Sequence, residues 1–590
     1  MKQIGTKYLK VLSALLFAAA VFCFWAVYYP FALAWQEQFQ LFLFDSQYLM
    51  ERLAVPGGAA AYVAEFLVQF YNNPFLGAAV LAFIYLLLQT LVWRLMKRSI
   101  IPGSASTHSY FLFALSFLPS LLLWYAMGDE NLMPTFAVAL IMALSSMLFY
   151  PTQSRAQLLF SLFVLPLVYW LVGSVVVVPV LFIFVVQMRS DASWGIKISR
   201  GIGVLAYAFF LAWLSARFEP YSLRRLISGI YYYRIPEMLP YSILALSALC
   251  LLLVLFANAL THLFQPQKPK NQRLLAGVGI GLVIVLGVLF IPKGYDARKY
   301  ELIEYDYLVR MNRWNDIVAK AEKQRPDLPM SVCATNLALG MTNQLGNRAF
   351  TFFQNGAGSL LPKFVRNFNT TQLTGEAYFQ LGLVNTAQRY AFESMESIPN
   401  YNKSGRIMKR LAETNMINGQ YKVAEKYLLM LKKTIFYRKW AQSRLEMLAH
   451  PELIDRHHVY GHLRKVRLTD DFLFSETELD KICGQLFSHN KENTLAMQYL
   501  LMFPLLNRDL NSFMSYFGYV NSVVRYNPIV CQEAVAFAYM QRKMEIPGGM
   551  VGNDVMLRFK NFAQVYASGG KDSPQLEAFR NTLWYYLMKG

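Results

Sequence analysis

The sequence predicts an all-α protein in two parts: a polytopic transmembrane helical domain of about nine spans, then an α-solenoid. Three observations carry this. Apolar runs long enough to cross a bilayer follow one another up to Pro292 and do not recur afterwards. Charge divides at the same place, with 9 of the 36 acidic and 18 of the 56 basic residues before Lys293. Downstream, apolar positions recur at three and four with few β-branched runs, the spacing of amphipathic helices. The expected domains are therefore residues 1–292, membrane-embedded, and 293–590, water-soluble.

The first apolar run, Val11–Tyr29, follows Lys2, Lys7 and Lys10. It is longer than the apolar core of a signal peptide and reads as an uncleaved span. Further spans are expected at Phe75–Trp93, Tyr110–Ala126, Leu132–Tyr150, Gly201–Ser215, Tyr241–Phe264 and Leu274–Pro292. Between them, Ala156–Met188 carries no charge over its whole length. As one helix it would be about 50 Å long, against a hydrocarbon core of about 30 Å. A turn at Gly173-Ser174 instead makes it two short spans.

Loop charge then sets the orientation. With the N-terminus inside, the cytoplasmic side carries thirteen Lys and Arg, including Lys268, while the outer loops carry Arg52, Arg217, Arg224, Arg225 and Arg234. Merging the pair at Ala156–Met188 gives eleven and seven and reverses everything after it. The two-span reading is preferred, and it puts the soluble half outside the cytoplasm.

Two outer loops stand out. In the long first loop, residues 30–74, Trp35, Phe39, Phe42 and Leu49 recur at helical spacing among Gln36, Glu37, Gln40 and Gln47, the pattern of a helix lying in the interface. Pro56-Gly57-Gly58 breaks it, and Ala59–Tyr71 reads as a second short helix ended by Asn72-Asn73-Pro74. The loop concentrates the acids Glu37, Asp45, Glu51 and Glu65. The other loop, Arg217–Pro240, carries Arg224-Arg225, Tyr231-Tyr232-Tyr233 and Arg234, residues suited to phosphate at a membrane surface.

In the second half, Trp314, Ala349, Ala387 and Tyr421 sit in similar local sequences at intervals of 35, 38 and 34 residues. The tetratricopeptide period is about 34. Asn418–Tyr427, NGQYKVAEKY, matches that motif best: its Gly closes a turn, and its Tyr and Ala pack helix on helix. The patterning continues through Glu476–Phe487, Thr494–Leu506 and Glu533–Arg542, with Gln575–Leu587 as the expected terminal cap.

Composition excludes several classes. The net charge of +20 is explained by loop topology and anionic headgroups, and no Arg-rich run, zinc-finger spacing or RNA-binding aromatic signature accompanies it, so nucleic acid is not an expected partner. Five cysteines show no metal-ligand spacing and no disulfide framework. His450, His457, His458 and His462 cluster near Glu452 and Asp455, but without a metalloprotease motif, and a solvated helix end is the preferred reading. No metal site is expected and no cofactor is assigned. Walker loops, nucleophile elbows and dinucleotide fingerprints are missing.

The run Gly382–Glu393, GLVNTAQRYAFE, with Lys409–Asn415, KRLAETN, and Phe436–Ala441, FYRKWA, resembles an uncharacterised family of bacterial polytopic membrane proteins with a tetratricopeptide-like C-terminal half. That resemblance covers the chain and implies a multi-pass protein of the bacterial inner membrane, with a C-terminal domain that the charge count makes periplasmic. A second resemblance, by layout over the first half, is to membrane glycosyltransferases that use polyprenyl-phosphate sugars. It implies an acid in the first loop, a place filled by Phe44-Asp45-Ser46, although no paired-acid motif is present.

Two functions follow as expectations. In the first, the protein is glycosyltransferase-like: Asp45 accepts the acceptor's proton or helps hold a metal, Glu37 assists on the same helix face, and Arg224, Arg225 and Arg234 clamp the phosphate of a lipid-linked sugar in envelope glycan assembly. The bland alternative makes Asp45 a helix cap or solvated acid and sets the arginines among headgroups. In the second, the chain is a non-enzymatic scaffold, anchored in the bilayer, whose repeat groove recruits a protein or glycan.

Overall fold

A computed structural model describes residues 2–100, 110–235, 238–263, 269–365, 368–400, 402–469 and 475–589. The expected span end at Phe264 and the loop residue Lys268 lie outside them. Among the described residues every regular element is helical, and the one β-type pairing is an isolated antiparallel bridge between Leu132 and Tyr233. The chain forms two compact units. The first comprises Met1–Tyr300 with the short segments Ile398–Gly405 and Met430–Arg438; the second comprises Glu301–Ser397, Arg406–Leu429 and Lys439–Gly590.

Five helices among the described residues are long and apolar enough to cross a membrane: Tyr8–Tyr28, Pro74–Ser99, Ser154–Met188, Trp194–Phe218 and Leu274–Gly294. A sixth is the pair Tyr241–Leu255 and Ala257–Leu263, bent by 63°. The expected spans Tyr110–Ala126 and Leu132–Tyr150 correspond to shorter apolar helices, Tyr110–Ala126 and Pro134–Leu148.

Side-chain contacts locate the helix ends of the first unit. At one end Lys10 lies over the Trp93 ring (4.5 Å) and the Tyr110 ring (5.3 Å), and Arg98 donates to the carbonyls of Leu148 and Tyr150. There Arg189 also reaches the Leu255 carbonyl (2.9 Å), and Arg200 reaches the Ser154 hydroxyl (2.8 Å). This is the basic end. At the opposite, loop end, Gly57 N–H donates to Trp170 O (2.9 Å) and Met133 N–H to Tyr232 O (2.9 Å), while Tyr29 stacks on Tyr295 at 5.2 Å.

The long run Ser154–Met188 doubles back. Gln187 Nε2 donates to Gln157 Oε1 at 3.0 Å, whereas on one straight helix these residues would stand about 45 Å apart. The reversal sits at Gly173–Val176, where Gly173 takes φ +67°. Gly57, itself at φ +82°, approaches it so closely that a Cβ would lie 3.3 Å from the Gly173 backbone. Two glycines allow this backbone crossing.

The first loop differs from expectation. Its helical spacing yields no continuous interfacial helix. Pro30–Glu37 is helical, the chain then runs non-helically through Asp45, and a second helix occupies Ser46–Leu53. Trp35, Phe39 and Phe42 are buried within the unit instead of facing an interface. Periodicity reports an apolar face, and burial against protein satisfies such a face as well as lipid does. The expected break and second helix do occur: Gly58–Val68 is helical, followed by a 3₁₀ turn to Asn72. Asn73 then caps Pro74–Ser99 by accepting from Phe75 and Leu76 N–H.

The second unit is built of helical hairpins whose turns share one chemistry. Asn312, Asn343, Gly382 and Gly419 take left-handed φ. The next residue bonds back five positions: Arg313 N–H to Leu308 O (2.9 Å), Gln344 to Leu339 (2.7 Å), Leu383 to Tyr378 (2.9 Å) and Gln420 to Asn415 (2.8 Å). This satisfies carbonyls that a helix end leaves orphaned. Trp314 and Tyr421 are the first residues of the helices that follow, and Ala387 falls in the first turn of Val384–Glu396.

In a stacked array each repeat meets only its neighbours; contacts in this unit also reach further. Thr494–Leu506 is buried from Leu495 onward, and its contacts jump far along the chain. Gln498 Nε2 donates to Gly340 O (3.1 Å), and Asn493 Nδ2 to Leu381 O (2.9 Å). The C-terminal segment closes the unit, with Trp584 fully buried and its indole N–H on Glu533 O (2.8 Å).

Candidate functional site at the loop end of the first unit

The residues expected to be catalytic lie where the first loop meets Ile398–Gly405 and Met430–Arg438 of the same unit. Backbone bonds fix the meeting: Leu41 N–H donates to Lys403 O (2.9 Å) and Phe44 N–H to Lys433 O (2.8 Å). Phe70 packs on Phe436 at 5.8 Å.

Asp45 caps the Ser46–Leu53 helix through Oδ1, which accepts from Gln47 N–H at 3.1 Å, and its Oδ2 is paired with the Lys433 ammonium 388 residues away. The Lys433 hydrogen bond and the Gln47 N–H both favour the carboxylate and hold Asp45 below its ordinary range. That shift makes it a weaker base than a free aspartate. Glu37, at the end of Pro30–Glu37, is buried and accepts from the Tyr437 hydroxyl at 2.8 Å. The two acids thus serve neighbouring residues of one segment.

The three arginines have different surroundings. Arg225 donates to Asn400 Oδ1, and Asn400 donates to Ile230 O at 2.7 Å. Arg234 bonds Asn131 Oδ1 (2.9 Å) and lies over the Phe39 ring at 4.4 Å, with burial lowering its pKa. Arg224 is exposed and lines an open recess of about 610 Å³ with Leu223, Ile227 and Leu239. Arg225 and Arg234 are directed to separate partners, not to a common phosphate position.

The strongest electrostatic feature here is one that sequence reasoning did not single out. Glu65 is fully buried, and its Oε2 accepts from Arg52 Nε at 2.9 Å and from the Tyr48 hydroxyl. Arg52 Nη2 continues to Asn402 Oδ1 at 2.6 Å, and its guanidinium lies between the Tyr48 and Tyr231 rings at 5.0 and 5.6 Å. Burial pushes the Glu65 carboxyl up, against the pull of Arg52 and Tyr48; burial opposes the Arg52 charge too, but Glu65, Tyr48 and Tyr231 together outweigh it. Glu65 Oε1 is buried and has no hydrogen-bond partner among the described residues. The loop's acid content pointed to this region, but Arg52 and Glu65 stand thirteen positions apart in different helices, and no local pattern couples them.

Among the described residues no group of three or more His, Cys, Asp or Glu side chains is placed to hold a metal, and the five cysteines are all free. His457 acts as a helix cap, its Nδ1 accepting from Val459 and Tyr460 N–H. The motif Lys409–Asn415 is structural: Arg410 pairs with Glu376 (2.6 Å) and Glu413 (3.2 Å) over the Phe379 ring.

Fold and site together define a helical protein with several apolar helices of membrane-crossing length. The chain belongs to a family of unknown function, DUF6057, whose profile covers residues 6–590. No curated protein and no solved structure matches it.

Proposed function

We propose that the chain is a multi-pass membrane protein acting as a non-enzymatic scaffold, its helical second half recruiting a partner for bacterial envelope or polysaccharide assembly. The observation that carries this reading is the employment of Asp45 and Glu37. Both are engaged by Lys433 and Tyr437, so the acids that a sugar transferase would use act here as fastenings of Met430–Arg438. The glycosyltransferase-like reading, with a polyprenyl-phosphate-linked sugar at Arg224, Arg225 and Arg234, requires Asp45 to leave its cap and ion pair. The partner we assign is an extended protein segment, in the cavity of about 970 Å³ in the second unit, where Phe353 and Val365 are exposed beside Lys363 and Asn355.

In this proposal the chain crosses the inner membrane nine times, and the second half lies in the periplasm. Support comes from the doubled-back Ser154–Met188 run and from the gathering of Lys10, Arg98, Arg189 and Arg200 at one end.

The test is Asp45→Asn. Asn caps a helix as well as Asp does, so a scaffold keeps its envelope phenotype in this variant. Loss of that phenotype at normal protein level overturns the scaffold and restores the transferase. A reporter fused after Gly590 tests the topology, and a cytoplasmic signal refutes nine crossings.

A further inference from the structure

The basic end of the first unit holds a cavity of about 670 Å³ for which the scaffold reading has no use. Among the described residues its charged lining is three cations, Arg98, Arg189 and Arg200, against one acid, Asp191. Arg98 and Arg200 lie in helices and Arg189 caps the end of Val177–Met188, each anchored by a single kind of neutral acceptor. Arg98 reaches the Leu148 and Tyr150 carbonyls, Arg189 the Leu255 carbonyl beside the 63° bend, and Arg200 the Ser154 hydroxyl. None of these acceptors carries a formal charge. Each guanidinium has five N–H donors and spends one or two of them here. Three positive charges are thus held around one space, with donors left over.

The lining also includes apolar side chains, Met147 and Val254 among them, both buried, beside polar ones such as Thr152 and Gln157. Arginines together with apolar side chains fit a ligand with a charged head and an apolar body. Guanidinium recognises phosphate through paired N–H donors, and basic pockets between membrane helices take anionic headgroups. The cavity is several times larger than a phosphate group alone requires.

We propose that this cavity is a binding site for a phosphate ester, with Arg98, Arg189 and Arg200 as its ligands. The shared chemistry is the phosphate group; an anionic phospholipid and a free soluble phosphate are its two sources. Anchoring by neutral carbonyls and, for Arg200, by a hydroxyl positions the guanidinium groups before the ligand arrives, so little side-chain entropy is lost on binding.

The experiment uses the full-length protein in nanodiscs of phosphatidylcholine doped with phosphatidylglycerol. Native mass spectrometry counts the lipids retained after extraction into neutral detergent. Wild type is expected to keep phosphatidylglycerol over phosphatidylcholine by about tenfold, a difference ordinary for one bidentate contact. R200Q, whose anchor is only a hydroxyl, and R189Q are each expected to remove most of that preference; R200K restores part of it. R217Q, beside Trp213, is the control and leaves it unchanged. In a second arm, inorganic phosphate is titrated with thermal unfolding as readout. Stabilisation by millimolar phosphate that R200Q abolishes, with no lipid preference, supports the site and assigns it to a soluble phosphate. Absence of both effects in wild type, or their persistence in R200Q and R189Q, overturns the proposal.

Discussion

The two ends of the first unit use arginine in opposite ways. At the loop end Arg52 is only 12% exposed and faces a fully buried carboxylate, so charge answers charge inside the protein. At the basic end Arg98 and Arg189 are exposed and bond backbone carbonyls left over at helix C-termini. The first arrangement is costly to assemble and costlier to break, because removing one partner strands the other in a poor solvent. The second is cheap to lose, since water replaces the guanidinium at an exposed carbonyl. Sequence alone counts both simply as loop arginine.

The largest expected effect comes from Glu65→Ala. It leaves the Arg52 guanidinium buried without its counter-charge and should lower stability by about 3–5 kcal/mol. Thermal and denaturant unfolding in detergent micelles measure it. Glu65→Gln keeps an acceptor for Tyr48 and loses less. A loss under about 1 kcal/mol for Glu65→Ala erases the contrast between the two ends, because that is the range of an exposed pair.

Glu533 offers a buried carboxyl that burial pushes up more than the Arg558 charge pulls it down. It lies in the second unit, accepts from Leu583 N–H at 2.8 Å, and is pushed up to about 7 by burial. Its unfolded value is near 4.5, so the folded state holds the proton more tightly between these limits. The contribution of the protonated group is fully present below pH 4.5 and lost as pH rises through about 7. The size is about 3 kcal/mol. Unfolding midpoints from pH 4 to 8 should show the fall, and Glu533→Gln should flatten it. A profile unchanged by Glu533→Gln would mean that charge at Glu533 is compensated, as at Glu65.

How legible all this was depends on how local the cause is. The apolar run Leu274–Pro292 sits in the candidate span Leu274–Gly294, because length and lack of charge are properties of the run itself. The turn at Gly173-Ser174 was readable for the same reason: a glycine at the midpoint of an uncharged run too long for one helix. Asp45 as a helix cap was also within reach, since a cap needs only its own following turn. Arg52 with Glu65, Asp45 with Lys433 and Glu37 with Tyr437 were not. The last two join residues 388 and 400 positions apart, and such pairing leaves no periodic trace. The interfacial helix around Trp35 failed because an apolar stripe does not name what covers it. The spacing of hairpins likewise says nothing of Gln498 meeting Gly340.

Asp45 lies between the extremes, paired across the chain like Glu65 but partly exposed. Asp45→Ala removes both cap and ion pair and should lower stability measurably, while Asp45→Asn keeps the cap and should lower it less. The pH dependence runs opposite to that of Glu533. The folded pKa is depressed below 3.8, so the contribution is full above that value and is lost as pH falls through the folded value. Limited proteolysis of Met430–Arg438 across pH 3–7 reads this directly. Equal resistance in wild type and Asp45→Ala at pH 7 would remove the fastening role.

The smallest effect is expected at the basic end, and it decides whether the contrast is one of kind or of degree. Arg98→Gln removes two bonds to the last carbonyls of Pro134–Leu148 and its flank, where a cation also favours the negative end of the helix dipole. At an exposed helix terminus that interaction is worth about 0.3–1 kcal/mol and is screened by salt. Arg98→Gln should therefore shift unfolding slightly at low ionic strength and hardly at all in high salt. Glu65→Ala, acting on a pair away from solvent, should keep its effect in both. If instead Arg98→Gln destabilises as much as Glu65→Ala and ignores salt, the basic end is a second buried electrostatic centre, and its arginines are committed to the fold before any ligand could use them.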